Sequence, residues 1–325
     1  MSAFVTIVGQ GLAGSLLGWE LERAGVPFVV VERGGDAASS RVGAGIINPV
    51  TGLRLVKSWR VDAYFPSALA AYREIEAVTG RRIIHPMRVR RLFGSEEDAR
   101  NARARLERGE LIPYVREIDE RGLWIDPAAR IDAAALIEGL HLHWSRTGRL
   151  LVDPEHPLDR PSEVRVIRCI GAREAVSEVS RFARLGLAKG EIITIQAPEA
   201  APDVIWNTGH WMVPIGDGLA RVGATFDRHA TSPDVTEEAR RLLSKSAERF
   251  LGRSVEIVRH EAGLRVTSPD RHPVIGWLDA HERVGVFNAL GSKGALLAPA
   301  MARAWVGHLT RGEPFDRAVD VARFR

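Results

Sequence analysis

The sequence predicts an α/β protein in which a parallel sheet wound with helices is interleaved with a second, mainly antiparallel sheet. Three observations predict it. The chain opens on a strand–helix–strand pattern, its middle carries short strands separated by tight turns, and it closes on a strand leading into a long apolar helix. The antiparallel part therefore falls between two portions of the parallel one.

The opening pattern is the most specific. Residues 4–8 form an apolar, β-branched run suited to a strand buried on both faces. They lead into Gly9-Gln10-Gly11-Leu12-Ala13-Gly14, after which Leu16, Leu17, Leu21 and Ala24 keep helical spacing until Gly25 and Pro27 stop the helix. A second apolar strand over 28–31 ends on Glu32. Gly9 permits a tight turn, and Gly11 lets the backbone approach a pyrophosphate. Gly14 lets the helix close on the sheet, with its positive end facing the phosphates. Glu32, about twenty residues on, is placed to accept hydrogen bonds from a ribose diol. Together these features predict a Rossmann-like dinucleotide site, and they leave NAD and FAD both open.

A chain of 325 residues, 45% hydrophobic and 26% charged, can bury a large core and divide into two parts. No apolar run reaches membrane-spanning length, and the first apolar stretch leads into the nucleotide turn, so a cytoplasmic protein without membrane contact is expected. The single cysteine, Cys169, excludes an intrachain disulfide, and the scattered histidines show no ligand spacing, so no metal is expected. A net charge of +4 admits an acidic partner such as RNA. The arginines over 100–108 lie on several helix faces with no interleaved aromatics for base stacking, which reads as solvated surface.

Beyond Glu32, Arg33-Gly34-Gly35-Asp36 and residues 39–49 form a small-residue loop. Its Gly43, Ala44 and Gly45 suit close approach of a flat ring or a second phosphate. Arg54 and Lys57 either meet a cofactor or an acidic substrate, or are solvated. Spacing predicts a helix over 64–79, a strand over 88–93, and a helix opened by Ser95-Glu96-Glu97-Asp98. A further helix over 131–144 follows Asp126-Pro127, with Asp132 in its opening turn. Residues 164–172 read as a strand ending in Gly171-Ala172, with Cys169 a buried thiol inside it. Strands over 191–197, 211–214 and 219–226 form one antiparallel sheet, the last two joined by Gly216-Asp217-Gly218. A helix over 236–251, strands over 255–261 and 284–287, and a helix over 300–310 complete the chain.

Several of these stretches, in this order, resemble the FAD-dependent D-amino-acid oxidase and glycine/sarcosine oxidase superfamily. They are Val8 through Gly14 with Glu32, Ser39-Ser40-Arg41 with Gly43-Ala44-Gly45-Ile46, and Cys169-Ile170-Gly171-Ala172. Further on come Val222-Gly223-Ala224-Thr225, Gly263-Leu264-Arg265 with Thr267-Ser268-Pro269-Asp270, and Gly291-Ser292-Lys293-Gly294 with Ala298-Pro299. Within the superfamily, residues 288–294 are most similar to the FAD domain of the bifunctional tRNA 5-methylaminomethyl-2-thiouridine biosynthesis enzymes. The methyltransferase domain of those enzymes is not expected within these residues.

The resemblance implies an FAD-binding domain over 1–59, 121–175 and 262–325, and a substrate domain over 60–120 and 176–261. It implies that FAD is held by Gly9, Gly11, Leu12, Ala13, Gly14, Glu32, Arg33, Ser40, Arg41, Gly43, Ala44, Gly45, Gly171 and Ala172. Arg265, Gly291, Ser292, Lys293, Gly294 and Ala295 complete that set. Cys169 lies in no segment expected to meet the flavin ring, so the FAD is expected to be noncovalent. The implied chemistry is oxidation of the C–N bond of a small amine or amino acid, with hydride transfer to flavin N5 and hydrolysis of the imine. Two alternatives stand beside it. One is oxidative removal of a carboxymethyl group from a tRNA wobble uridine. The other is an NAD-dependent dehydrogenase using the first motif alone.

Three residues are candidates for the chemistry. Gly291-Ser292-Lys293-Gly294 precedes a helix, so its backbone N–H groups can face charge on a reduced flavin; Lys293 either adds a full charge there or points to solvent. The Arg265 guanidinium either clamps a substrate carboxylate, the role the resemblance implies, or pairs with Asp270 or Glu261. His210, with Trp211, either lines the substrate pocket or belongs to a packed aromatic pair.

Overall fold

The computed structural model describes residues 4–34, 39–52, 54–155, 165–176 and 183–325. Gly35, Asp36 and Val164, which enter the readings above, lie outside the described residues. Among the described residues two sheets dominate. The six-stranded sheet runs Val274–Trp277, Val284–Asn288, Arg165–Arg168, Val5–Val8, Phe28–Glu32, Leu150–Val152. Its neighbours pair in parallel except the first two, which form an antiparallel edge. Val5–Val8 is buried throughout, as an unbroken apolar strand in a doubly covered sheet must be. The helix Leu12–Arg23 packs beside Gly294–Arg311 and Ala133–Arg146, bringing the two ends of the chain together. Gly14 sets how closely that first helix lies on its turn: a Cβ there would fall 2.0 Å from the Gly9 carbonyl oxygen.

The nine-stranded sheet follows the path Ile257–Thr267, Gly186–Gln196, Leu219–Gly223, His210–Gly216, Val204–Thr208, Ile84–Leu92, Gly122–Ile131, Ile46–Ile47. Val115–Ile118 adds to Gly122–Ile131, and one pair, Val204–Thr208 with Ile84–Leu92, is parallel. Strand alternation divides the residues of this sheet between two faces. Ile193, Ile195, Met212, Ala220 and Val222 pack against Leu243 and Ala247 of the helix Glu237–Leu251. Ile192 and Trp211 take the opposite face. No helix among the described residues is long and apolar enough to cross a membrane.

The structure differs from the sequence reading at definite places. Asp126-Pro127 lies inside a strand the sequence did not mark, Gly122–Ile131, where the ladder to Ile84–Leu92 shifts register. Such an irregularity is where a strand tolerates a residue without an N–H. The expected helix follows that strand as Ala133–Arg146, capped by Asp132. Arg265 lies within Ile257–Thr267 rather than after a strand, and the final helix starts at Gly294 with Pro299 inside it. The strand expected over 164–172 ends at Arg168, and Gly171–Val176 is a 3-10 turn. Residues 122–131, together with 46–47 and 262–267, fall on the nucleotide side of the expected division yet pair in the nine-stranded sheet.

Candidate active site

A cavity of about 890 Å³ is walled by both sheets. Its nucleotide end is built from residues just beyond the carboxyl ends of parallel strands: Gly9 after Val5–Val8, Cys169 after Arg165–Arg168, and Glu32 and Asn288 as the last residues of theirs. This is where ligands bind in open α/β sheets. Two helices open onto the cavity, Leu12–Arg23 and Gly294–Arg311. Neither is capped by its own N-cap side chain or carries an acid in its first turn. By contrast, Ser95, Asp132 and Thr236 cap the helices that follow them. The two ends, with no cap of their own and no acid in the first turn, therefore present positive dipole to the cavity.

Most of the residues expected to hold a cofactor meet here. Residues 9–13, Glu32, Arg33, Ser40, Arg41, Gly43, Ala44, Gly45, Gly171, Ala172, Arg265, Gly291, Ser292, Gly294 and Ala295 all line the cavity. Gly14 is in the helix contact described above. The Glu32 carboxylate accepts the Gln10 N–H at 3.0 Å and the Gly34 N–H at 2.8 Å, one on each oxygen. The Ser40 hydroxyl takes the Leu12 N–H at 3.1 Å. The closing loop is tied in place by the Gly291 N–H on the Val266 carbonyl at 3.1 Å and by Asn288 Nδ2 on the Gly171 carbonyl at 2.9 Å.

Whether a dinucleotide fits can be read from the glycines. A Cβ on Gly171 would meet nothing within 4 Å, and on Gly291 only Thr267 at 3.9 Å. At Gly11 the nearest atom is the Ser40 Oγ at 3.4 Å. These three positions leave bare backbone facing open space, a cradle that side chains would fill. Cys169 lines the cavity beside Gly9, at the dinucleotide turn, and burial followed by the nearby Glu174 charge pushes its thiol far above the ordinary range. That state is protonated and inert.

The three chemistry candidates separate. Arg265 lines the cavity; its Nη2 donates to the Thr225 carbonyl at 3.1 Å, and its guanidinium lies 5.6 Å from the Phe226 ring. Neither carboxylate expected as an alternative partner is available: Asp270 pairs with Arg323 at 2.7 Å and Glu261 with Arg221 at 3.1 Å. Burial depresses the Arg265 pKa, and no carboxylate among the described residues offsets it. Lys293 is half-buried, its pKa also depressed by burial, and it is not part of the cavity wall. His210 is a correction. Its Nδ1 lies 2.8 Å from the Ser246 Oγ on the helix-covered face of the sheet, while Trp211, one residue on, faces the cavity. Ile192, Phe226 and Pro233 are further wall residues that the motifs did not mark.

A glycine-rich turn, an acid at the end of the second strand and an antiparallel sheet closing one cavity define the class, a dinucleotide-dependent enzyme. Residues 5–307 match the family described as FAD dependent oxidoreductase, and the chain belongs to that family. This sets aside the NAD-dependent alternative. The chain is 29% identical, over 95% of its length, to the tRNA 5-methylaminomethyl-2-thiouridine biosynthesis bifunctional protein MnmC of Maricaulis maris, and spans 52% of that protein. It is 23% identical to a glycine oxidase of Pseudomonas aeruginosa, covering 97% of this chain and 96% of that one. Among solved structures, glycine oxidase from Geobacillus kaustophilus superposes with a TM-score of 0.78 at 21% identity, over 97% of both chains. L-proline dehydrogenase from P. horikoshii does so at 0.77 and 15%, over 99% of this chain and 98% of that one. These two likenesses establish a shared fold.

Proposed function

We infer that this FAD-dependent oxidoreductase oxidises the C–N bond of a small amine that bears a carboxylate, with FAD held noncovalently, in the cytoplasm. The observation that carries the reading is Arg265, a guanidinium in the cavity wall with no carboxylate partner among the described residues. A substrate carboxylate supplies the missing charge and is oriented by it. Around it, Ile192, Trp211, Phe226 and Pro233 give an apolar wall that excludes water. Among the described residues the one acid in the wall is Glu32, at the nucleotide end. A protonated amine beside Arg265 finds no counter-charge there, so the amine is taken up neutral.

When bound, FAD supplies the two-electron acceptor. The 9–14 turn and the Leu12 helix end hold its pyrophosphate and Glu32 its ribose. The Gly294 and Ala295 N–H groups, which have no intrahelical acceptor, stabilise negative charge at the ring. The backbone, rather than Lys293, carries that last role.

The test is reconstitution followed by anaerobic reduction. Protein mixed with FAD should turn yellow, and N-substituted glycines should bleach it, whereas the matching amines without a carboxylate should not. Colourless protein, or equal bleaching by both amine series, would overturn the reading. A second reading is favoured by the alignment with MnmC over 95% of this chain. It takes the same chemistry to a carboxymethylamino group on a tRNA wobble uridine. Salt-dependent tRNA binding and a changed wobble nucleoside in a deletion strain support it; an unchanged nucleoside removes it.

A further inference from the structure

Pro299 sits inside the helix Gly294–Arg311. A proline has no N–H, so the carbonyl four residues earlier, that of Ala295, loses its intrahelical donor. Ala295 is 8% exposed and lines the cavity. A buried carbonyl left without a donor is costly, and the shortfall falls in the first turn of the helix, the turn that faces the cofactor.

The missing donor comes from another part of the chain. The Tyr72 hydroxyl donates to the Ala295 carbonyl at 2.7 Å. Tyr72 lies on the helix Val61–Thr79, on one face with Phe65, Ala68 and Ile75, and its side chain is 0% exposed. A buried phenol needs an acceptor just as the carbonyl needs a donor, so each group removes the other's deficit. The bond spans 223 positions of sequence. It therefore joins a helix outside the nucleotide motifs to the turn whose Gly294 and Ala295 line the cavity.

We propose that Tyr72 is a positioning residue for the flavin: it replaces the helix bond removed by Pro299 and fixes the first turn of Gly294–Arg311 against the cofactor. The proposal rests on the FAD reading above. Leu296 and Leu297 donate to the Lys293 carbonyl at 3.0 Å, which leaves the Gly294 and Ala295 N–H groups for the ligand. Without the phenol, the Ala295 peptide has to tilt toward water or another donor, and those two N–H groups lose their aim.

A double-mutant cycle tests it, using the full chain, apo-protein titrated with FAD, and sulfite as a probe of anion stabilisation on the bound flavin. Tyr72→Phe should weaken sulfite binding at saturating FAD by about tenfold, the effect of one lost buried hydrogen bond. Pro299→Ala restores an amide at the right spacing, so in that background Tyr72→Phe should change sulfite affinity by less than about threefold. If Tyr72→Phe alone fails to fold, recovery of folding and sulfite binding by the double variant supports the proposal. Tyr72→Phe with unaltered sulfite affinity, an equal loss in both backgrounds, or failure of both variants to fold overturns it. Wild-type protein that takes up no FAD ends the flavin reading and this inference with it; normal uptake with no coupling ends this inference alone.

Discussion

Gly190 has no side chain because Arg265 occupies the place where one would go. A Cβ on Gly190 would lie 1.6 Å from Nη2 and 2.6 Å from Cζ of that arginine. Gly190→Ala must therefore displace the guanidinium without removing it. The expected result is a KM for carboxylated amines raised about tenfold with the protein still folded and yellow; Arg265→Met should raise it about a hundredfold. Steady-state kinetics on a carboxylated amine and its uncharged counterpart check this, and equal losses on both would remove the carboxylate role. Arg265 was legible in the sequence because it sits in a motif. His210 and Trp211 were not separable there. The choice between them is one of strand phase, and phase is fixed only once the helix Glu237–Leu251 takes one face of the sheet.

Among the elements, the turn after Ile257–Thr267 is tied to the end of the chain. The Ser268 hydroxyl donates to Asp270 at 2.8 Å, and Arg323 reaches the same carboxylate at 2.7 Å. Burial alone would raise the Asp270 pKa, but these hydrogen bonds and the His272 N–H outweigh it and hold the group down to about 2. A folded pKa below the unfolded value of 3.8 gives stability that is present above pH 3.8 and lost as pH falls through about 2. Arg323→Gln should therefore move the acid-unfolding midpoint to higher pH, with little change at pH 7 beyond the lost pair; an unmoved midpoint in a circular-dichroism titration would refute the linkage. Elements with local chemistry were legible: Ser95 and Asp132 cap their helices with bonds of 3.2 and 2.9 Å to backbone N–H groups. The strand Gly122–Ile131 was not. Its Pro127 imitates a break, and only pairing with Ile84–Leu92 and Val115–Ile118 makes those residues a strand.

For the molecule as a whole, one cavity is walled by both sheets, which also share a single hydrophobic core, so its ligand should stabilise both. FAD at about 100 times its Kd should add about 2.7 kcal/mol, a rise of a few degrees in Tm for a chain of this size. Differential scanning fluorimetry of apo-protein with and without FAD measures it, and an unshifted transition would contradict a ligand shared by both sheets. The nucleotide end of the cavity was readable because glycine turns, a ribose acid and helix starts are set by local sequence. The substrate end was readable only at Arg265. Ile192 comes from a strand paired on both sides, and Phe226 and Pro233 from loops, and the partners of all three lie elsewhere in the chain.

The order of strands in the six-stranded sheet also bears on biosynthesis. Val5–Val8 leaves the ribosome about 160 residues ahead of Arg165–Arg168, its neighbour, a wait of roughly ten to thirty seconds at ordinary elongation rates. The wall from Gly291 to Ala295 arrives later still. A nascent chain therefore cannot enclose a nucleotide until both walls of the cavity, made at widely separated times, have been synthesised.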